Sequence, residues 1–164
     1  MPRDLGRRFT MFLYLVQHAE AKREEEDPAR DLTAKGRQDL QRVANYAGKF
    51  NLAVSRLFHS GKTRALSTAE ILAGSLKPPQ GVSETTGLAP LDDPESWAGQ
   101  ISKMDEDIML VGHLPHLAKL AALLISGDQE KKVINFKMGG MVCLRRMEAG
   151  QWLVEWMLIP EIIL

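Results

Sequence analysis

The chain has 164 residues, enough for one domain that buries its own core without disulfide or metal staples. Lys+Arg and Asp+Glu each number 21, so the formal net charge is zero. That excludes a sequence-independent nucleic-acid binder, which needs a basic excess to neutralise phosphates. The single cysteine, Cys143, excludes an internal disulfide and implies a reducing, cytoplasmic setting.

Residues 1–10 are polar and basic and carry no periodicity. They read as a flexible, dispensable arm with Met11 as an alternative start, leaving residues 11–164 as one domain. Residues 12–16 form a continuous apolar run of strand length, the pattern of a strand covered on both faces. Gln17 and His18 cut the run off far short of the ~20 residues that span a bilayer, so no membrane partner is expected. Residues 24–27 make a solvated acidic loop ending at Pro28. Thr33 is a helix N-cap, and Leu40, Val43, Ala44 and Ala47 recur at helical spacing as a buried stripe.

Residues 54–58 read as a second strand, and residues 63–76 as a second helix with Ala65, Ala69 and Leu72 facing the core. A weak strand follows at residues 80–84, then a loop and a short helix around Trp97. Residues 107–111 are the next clear strand. Pro115 starts a helix whose core face is Leu117, Leu120, Ala121 and Leu124, and Gly127 closes it. Residues 141–147 and 152–157 flank a turn and predict a β-hairpin, with Trp152 and Trp156 on one strand face as core cover. Strand–helix alternation with a closing hairpin predicts a three-layer α/β/α sandwich: a mostly parallel sheet with an antiparallel C-terminal edge.

Ligands of open parallel sheets bind beyond the C-terminal strand ends. The segments placed there are Gln17-His18-Ala19-Glu20, His59-Ser60-Gly61-Lys62-Thr63-Arg64 and Gly112-His113-Leu114-Pro115-His116. His, Arg and His at three strand ends form a constellation. The last two segments also lead into helix N-termini, whose free N–H groups and positive dipole end favour anions. Histidine can act as a nucleophile, and Arg with a second His can hold a tetrahedral anion.

These segments, with Arg30-Asp31-Leu32-Thr33 between them and Ala65 through Thr68 beyond, resemble the histidine phosphatase (phosphoglycerate-mutase-like) superfamily, and within it the SixA-type phosphohistidine phosphatases. The resemblance runs from about Phe12 to the final hairpin. It implies a metal-independent phosphatase with no cofactor, and a phosphorylated substrate such as a phosphohistidine-bearing signalling protein. It matches His18 to the phosphorylated histidine, Arg64 to the arginine holding the phosphoryl oxygens, His113 to the second pocket histidine and Arg30 to an arginine at the pocket edge. His59 and His116 are read as structural.

Two departures from the pattern stand out. The first motif is Gln17-His18-Ala19, where the family has Arg-His-Gly or close to it, so substrate binding at position 17 falls to a neutral amide. The exchange of a charged for a neutral hydrogen bond weakens rate by about tenfold unless Arg30 compensates. Larger family members carry a catalytic Glu where this chain has Gly87. A missing acid penalises alkoxide leaving groups most and imidazole, of pKa near 6.5, much less, which points to phosphohistidine or another phosphoramidate. Two alternatives remain: a non-catalytic phosphate- or phosphoprotein-binding module, and a zinc hydrolase built on His18, His113 and His116. A monomer is expected.

Overall fold

The computed structural model describes residues 10–164. The predicted N-terminal arm lies outside the described residues except for Thr10. Six strands form one sheet in the order β3-β2-β4-β1-β5-β6. They are β1 (Met11–Gln17), β2 (Arg56–His59), β3 (Val82–Glu84), β4 (Ile108–Gly112), β5 (Met141–Arg146) and β6 (Trp152–Leu158). The first four pair in parallel and the last two antiparallel. Helices α1 (Ala34–Ala47) and α2 (Thr63–Leu76) cover one face; α3 (Pro94–Ile101) and α4 (His116–Ser126) cover the other.

Alternation along β1 divides the core in two. Tyr14 and Val16 pack with Leu40, Val43 and Leu72, whereas Leu13 and Leu15 pack with Trp97, Leu117 and Leu120. Both sets are buried, which is why β1 reads as an uninterrupted apolar run. Thr33 caps α1 by accepting a 2.9 Å hydrogen bond from the Gly36 amide. Gly127, in the left-handed region at φ 76°, ends α4. Pro115 is the cap of α4 and not its first helical residue. The predicted core face of α4 holds for Leu117, Leu120 and Ala121; Leu124 is only half-buried, and Ala122 is buried in addition. The acidic loop is solvated at Glu24, Glu25 and Glu26, while Asp27 turns inward to accept from the amides of Ala29 and Asp31.

The hairpin corrects one sequence expectation. Cys143 pairs with Trp156 and Leu144 with Val154, so Glu155 is an extra residue and the register shifts. One extra residue flips every side chain beyond it to the other face. Trp152 therefore packs in the cluster with Trp97, and Trp156 packs on the opposite cluster, 5.9 Å from the Tyr14 ring. Cys143 is fully buried, and burial pushes its thiol pKa up to about 12, which makes it an inert core residue.

The parallel register positions the site. Gln17 stands beside Gly112, and His59 beside Val111. The next residues, His18, Ser60 and His113, consequently emerge together at the C-terminal edge of β1, β2 and β4. Among the described residues, no helix is long and apolar enough to cross a membrane.

Candidate active site

His18 leaves β1 with its amide hydrogen-bonded to the Gly112 carbonyl at 3.0 Å, which ties the ends of β1 and β4 together. Its ring Nδ1 lies 2.8 Å from the Ala19 carbonyl oxygen. A carbonyl only accepts, so Nδ1 carries the proton and Nε2 presents a lone pair. Burial lowers the His18 pKa; the Ala19 hydrogen bond opposes this, and the charges of Arg64 and Arg30 add to the lowering. The net result is a neutral imidazole at pH 7 with Nε2 available for attack.

Arg64 projects from the first turn of α2, half-buried, and its Nε is buried without a hydrogen-bond partner. Burial and the Arg30 charge lower its pKa. Arg30 sits on the loop before α1 in the left-handed region at φ 52° and donates from Nε to the Lys22 carbonyl at 3.2 Å. Among the described residues, neither Arg30, Arg64 nor Lys62 has a carboxylate within ion-pair distance. No side chain caps the N-terminus of α2, so its first-turn N–H groups add to the same field. Guanidinium groups that are partly desolvated and mutually repelling, with no counter-ion among the described residues, form a cationic cluster that an anion would relax.

His113 is 2% exposed, and its ring centroid is 5.1 Å from that of His18. Burial first, then the charges of His18, Arg64 and Lys62, bring its pKa down to about 3. It is therefore a neutral donor or acceptor at pH 7 and not a resident cation. Its Nε2 is hydrogen-bonded to Ser60 Oγ at 2.6 Å.

The structure thus brings His18, Arg64, His113 and Arg30 to one place. Gln17, the last residue of β1, immediately precedes His18. It lines a neighbouring cavity of about 310 Å³ with Ala19, Glu20, Leu114 and Lys137, and its Oε1 is buried without a partner. His59 is structural: its Nδ1 accepts from the Gly61 amide at 3.1 Å and shapes the turn into α2. Gly61 itself adopts φ +89°, and a Cβ there would collide with the Glu84 carboxylate. His116 is fully buried with neither ring nitrogen hydrogen-bonded, and burial lowers its pKa against the pull of Asp92 and Asp93. Among the described residues, no group of three or more His, Cys, Asp or Glu is placed to hold a metal ion.

Gly87 is required by its surroundings. Its φ is +85°, and a Cβ would come within 3.1 Å of the Trp97 ring, so a larger residue there is strained on both counts. The nearby carboxylates are engaged in local turns. Asp92 accepts from the Ala89 amide at 2.8 Å, and Asp93 caps α3 by accepting from Glu95 at 3.0 Å. Glu84 remains exposed beside Gly61.

Sequence reasoning passed over two site residues, Ser60 and Thr68, although both stand inside the motifs it quoted. Thr68 is fully buried; it accepts from the Ala19 amide at 3.0 Å and donates to the Arg64 carbonyl at 2.7 Å. One hydroxyl thereby fixes the backbone next to His18 against the turn that carries Arg64. A buried polar residue at the spacing of the α2 apolar stripe (Ala65, Ala69, Leu72) was the available signal.

Comparison with known proteins bears on the family and the fold. Residues 13–100 match the histidine phosphatase superfamily (branch 1). An uncharacterized protein of Picosynechococcus sp. (strain ATCC 27264 / PCC 7002 / PR-6) is 32% identical over 143 residues, which is 82% of this chain and 85% of that one. A structure of the protein histidine phosphatase SixA complexed with tungstate superposes with a TM-score of 0.80 at 22% identity, covering 92% of this chain and 97% of that one. A candidate phosphohistidine phosphatase SixA from Agrobacterium tumefaciens gives a TM-score of 0.75 at 19% identity, over 91% and 97% of the two chains.

Proposed function

The chain belongs to the histidine phosphatase superfamily, branch 1, and from that premise we propose that it is a metal-independent phosphatase acting through a phosphohistidine on His18. The observation that carries the reading is the pairing of a neutral His18, its Nε2 lone pair free, with two arginines that have no carboxylate partner among the described residues. Nε2 attacks phosphorus and forms the N–P bond as the bond to the leaving atom breaks. Arg64 and Arg30 stabilise the charge gathered on the phosphoryl oxygens. Water then attacks the phosphohistidine, releasing phosphate and returning the imidazole.

The proposed substrate class is phosphohistidine or another phosphoramidate, carried by a protein such as a phosphohistidine-bearing signalling protein. Gly87 itself supplies no acid to an alkoxide, Asp92 and Asp93 are held in local turns, and a phosphorylated imidazole protonated on its other nitrogen departs as a neutral base. The cavity of about 490 Å³ beside Ser60 carries Glu84, Asp92 and Asp93, which disfavour an anionic leaving group and tolerate a basic one.

The test is incubation with a phosphohistidine-bearing protein and, in parallel, a sugar phosphate. The expected result is faster phosphate release from the first, an acid-labile label lost in His18→Ala, and turnover insensitive to EDTA. Phosphate binding without label or turnover would instead identify a binding module, the alternative that Gln17 favours. Strong inhibition by EDTA would refute metal independence.

A further inference from the structure

Ser60 ends the β2 segment half-buried and makes the short hydrogen bond to His113 Nε2. The other ring nitrogen of His113, Nδ1, is buried without a partner. A neutral ring carries one N–H, so two arrangements are possible. A proton on Nδ1 would bury a donor with no acceptor, which folded proteins avoid. A proton on Nε2 donates to Ser60 Oγ and leaves only a lone pair unmatched on Nδ1. The second arrangement agrees with the Lys62 amide, which also donates to Ser60 Oγ, at 3.4 Å. The serine oxygen then accepts twice, and its own proton is left to donate elsewhere. Ser60 also lines the 490 Å³ cavity with Glu84, Thr86 and Ser96, so the free donor has an open space to address.

We propose that Ser60 is a catalytic residue whose hydroxyl donates a hydrogen bond to the phosphoryl substrate on its leaving-group side, with His113 as the positioning residue that holds the hydroxyl in that orientation. Donation from His113 into the serine oxygen strengthens the outward donor, because hydrogen bonds in a chain polarise one another. Both groups are neutral at rest, so no proton changes hands. The hydrogen bond strengthens as the electron pair of the breaking N–P bond collects on the departing nitrogen. This assigns His113 an action through Ser60 and gives the site a donor on the side where Gly87 offers none. The inference rests on the phosphatase reading.

The experiment compares wild type, Ser60→Ala and Ser60→Thr in three measurements: kcat and KM toward a phosphoramidate, inorganic phosphate affinity by calorimetry at fixed salt, and the ¹⁵N signals of His113. Loss of a hydrogen bond to a charged group predicts a fall of about tenfold to a hundredfold in kcat for Ser60→Ala, with KM little changed. Ser60→Thr keeps most of the rate because it keeps the hydroxyl. His113 in wild type shows the Nε2–H tautomer. Undiminished kcat in Ser60→Ala, or an Nδ1–H tautomer in wild type, overturns the proposal. If wild type binds phosphate but hydrolyses nothing, the phosphatase reading fails by itself. Ser60 is then judged by phosphate affinity, where a tenfold loss in Ser60→Ala upholds the contact and an unchanged value removes it. Should Ser60→Ala fail to fold, the His113 tautomer in wild type decides.

Discussion

Removing the titration of His113 should make the fold resist acid. The unfolded chain protonates this histidine near pH 6.5, and the folded chain only near 3. Its folded pKa is depressed, so the unfolded state binds more protons throughout that window. Stability is complete above pH 6.5 and is lost as pH falls towards 3. Each pH unit inside the window costs about 1.4 kcal/mol, which integrates to about 2 kcal/mol between pH 6.5 and 4.5, the first unit counting only in part. The assay is urea unfolding followed by tryptophan fluorescence at several pH values, for wild type and His113→Gln. Glutamine can keep a hydrogen bond to Ser60 but does not titrate. The variant should lose about 2 kcal/mol less than wild type between pH 6.5 and 4.5, whatever its stability at neutral pH. The lowered pKa values of His18, His59 and His116 act in both proteins, so the comparison removes their contribution apart from the charge coupling of His18 and His116 to His113. Parallel pH profiles would refute the reasoning, because they would mean that His113 accepts a proton in the folded state as readily as in water.

Arg64→Ala should leave the melting temperature unchanged or slightly raised, since among the described residues the guanidinium has no carboxylate partner and it repels Arg30, while calorimetry shows phosphate or vanadate binding weakened at least tenfold. Thr68→Val leaves the buried Ala19 amide without an acceptor. Thermal melts should record a loss of about 1–3 kcal/mol, and kcat should fall with it because Ala19 orients His18. Gln17→Arg adds a permanent cation next to His18 and should raise kcat/KM about tenfold and tighten phosphate inhibition. Flat values of both would assign position 17 to the 310 Å³ cavity alone. Since the His18 pKa lies below the ordinary 6.5, kcat/KM should hold constant as pH falls through 6.5 and drop only further into acid; a decline centred at 6.5 or above would contradict a desolvated nucleophile.

Much of this molecule is written in local pattern. A run of apolar residues ending in Gln17-His18, helical stripes such as Leu40-Val43-Ala44-Ala47, and a turn between two hydrophobic segments depend on periods of 2 and 3.6, and those periods follow from backbone geometry alone. Three strand ends bearing His18, Arg64 and His113 were legible for the same reason: a parallel sheet has one C-terminal edge, and the residues after its strands must meet there. The rest turned on distances between segments far apart in the chain. A single unpaired residue, Glu155, sends Trp156 to the opposite face from Trp152, and the bulge exists only in the pairing of two strands. Gly87 excludes a side chain because Trp97 packs against it. Thr68 reaches Ala19 across 49 positions and Ser60 reaches His113 across 53. Hydroxyl hydrogen bonds of this kind leave no periodic trace, since they need one atom of each partner at one distance. The positions of groups along the chain therefore determine which of them can meet at the sheet edge, and only the packed structure decides that His18 presents Nε2, that His113 is neutral, and that Ser60 joins His113 to the lining of the 490 Å³ cavity.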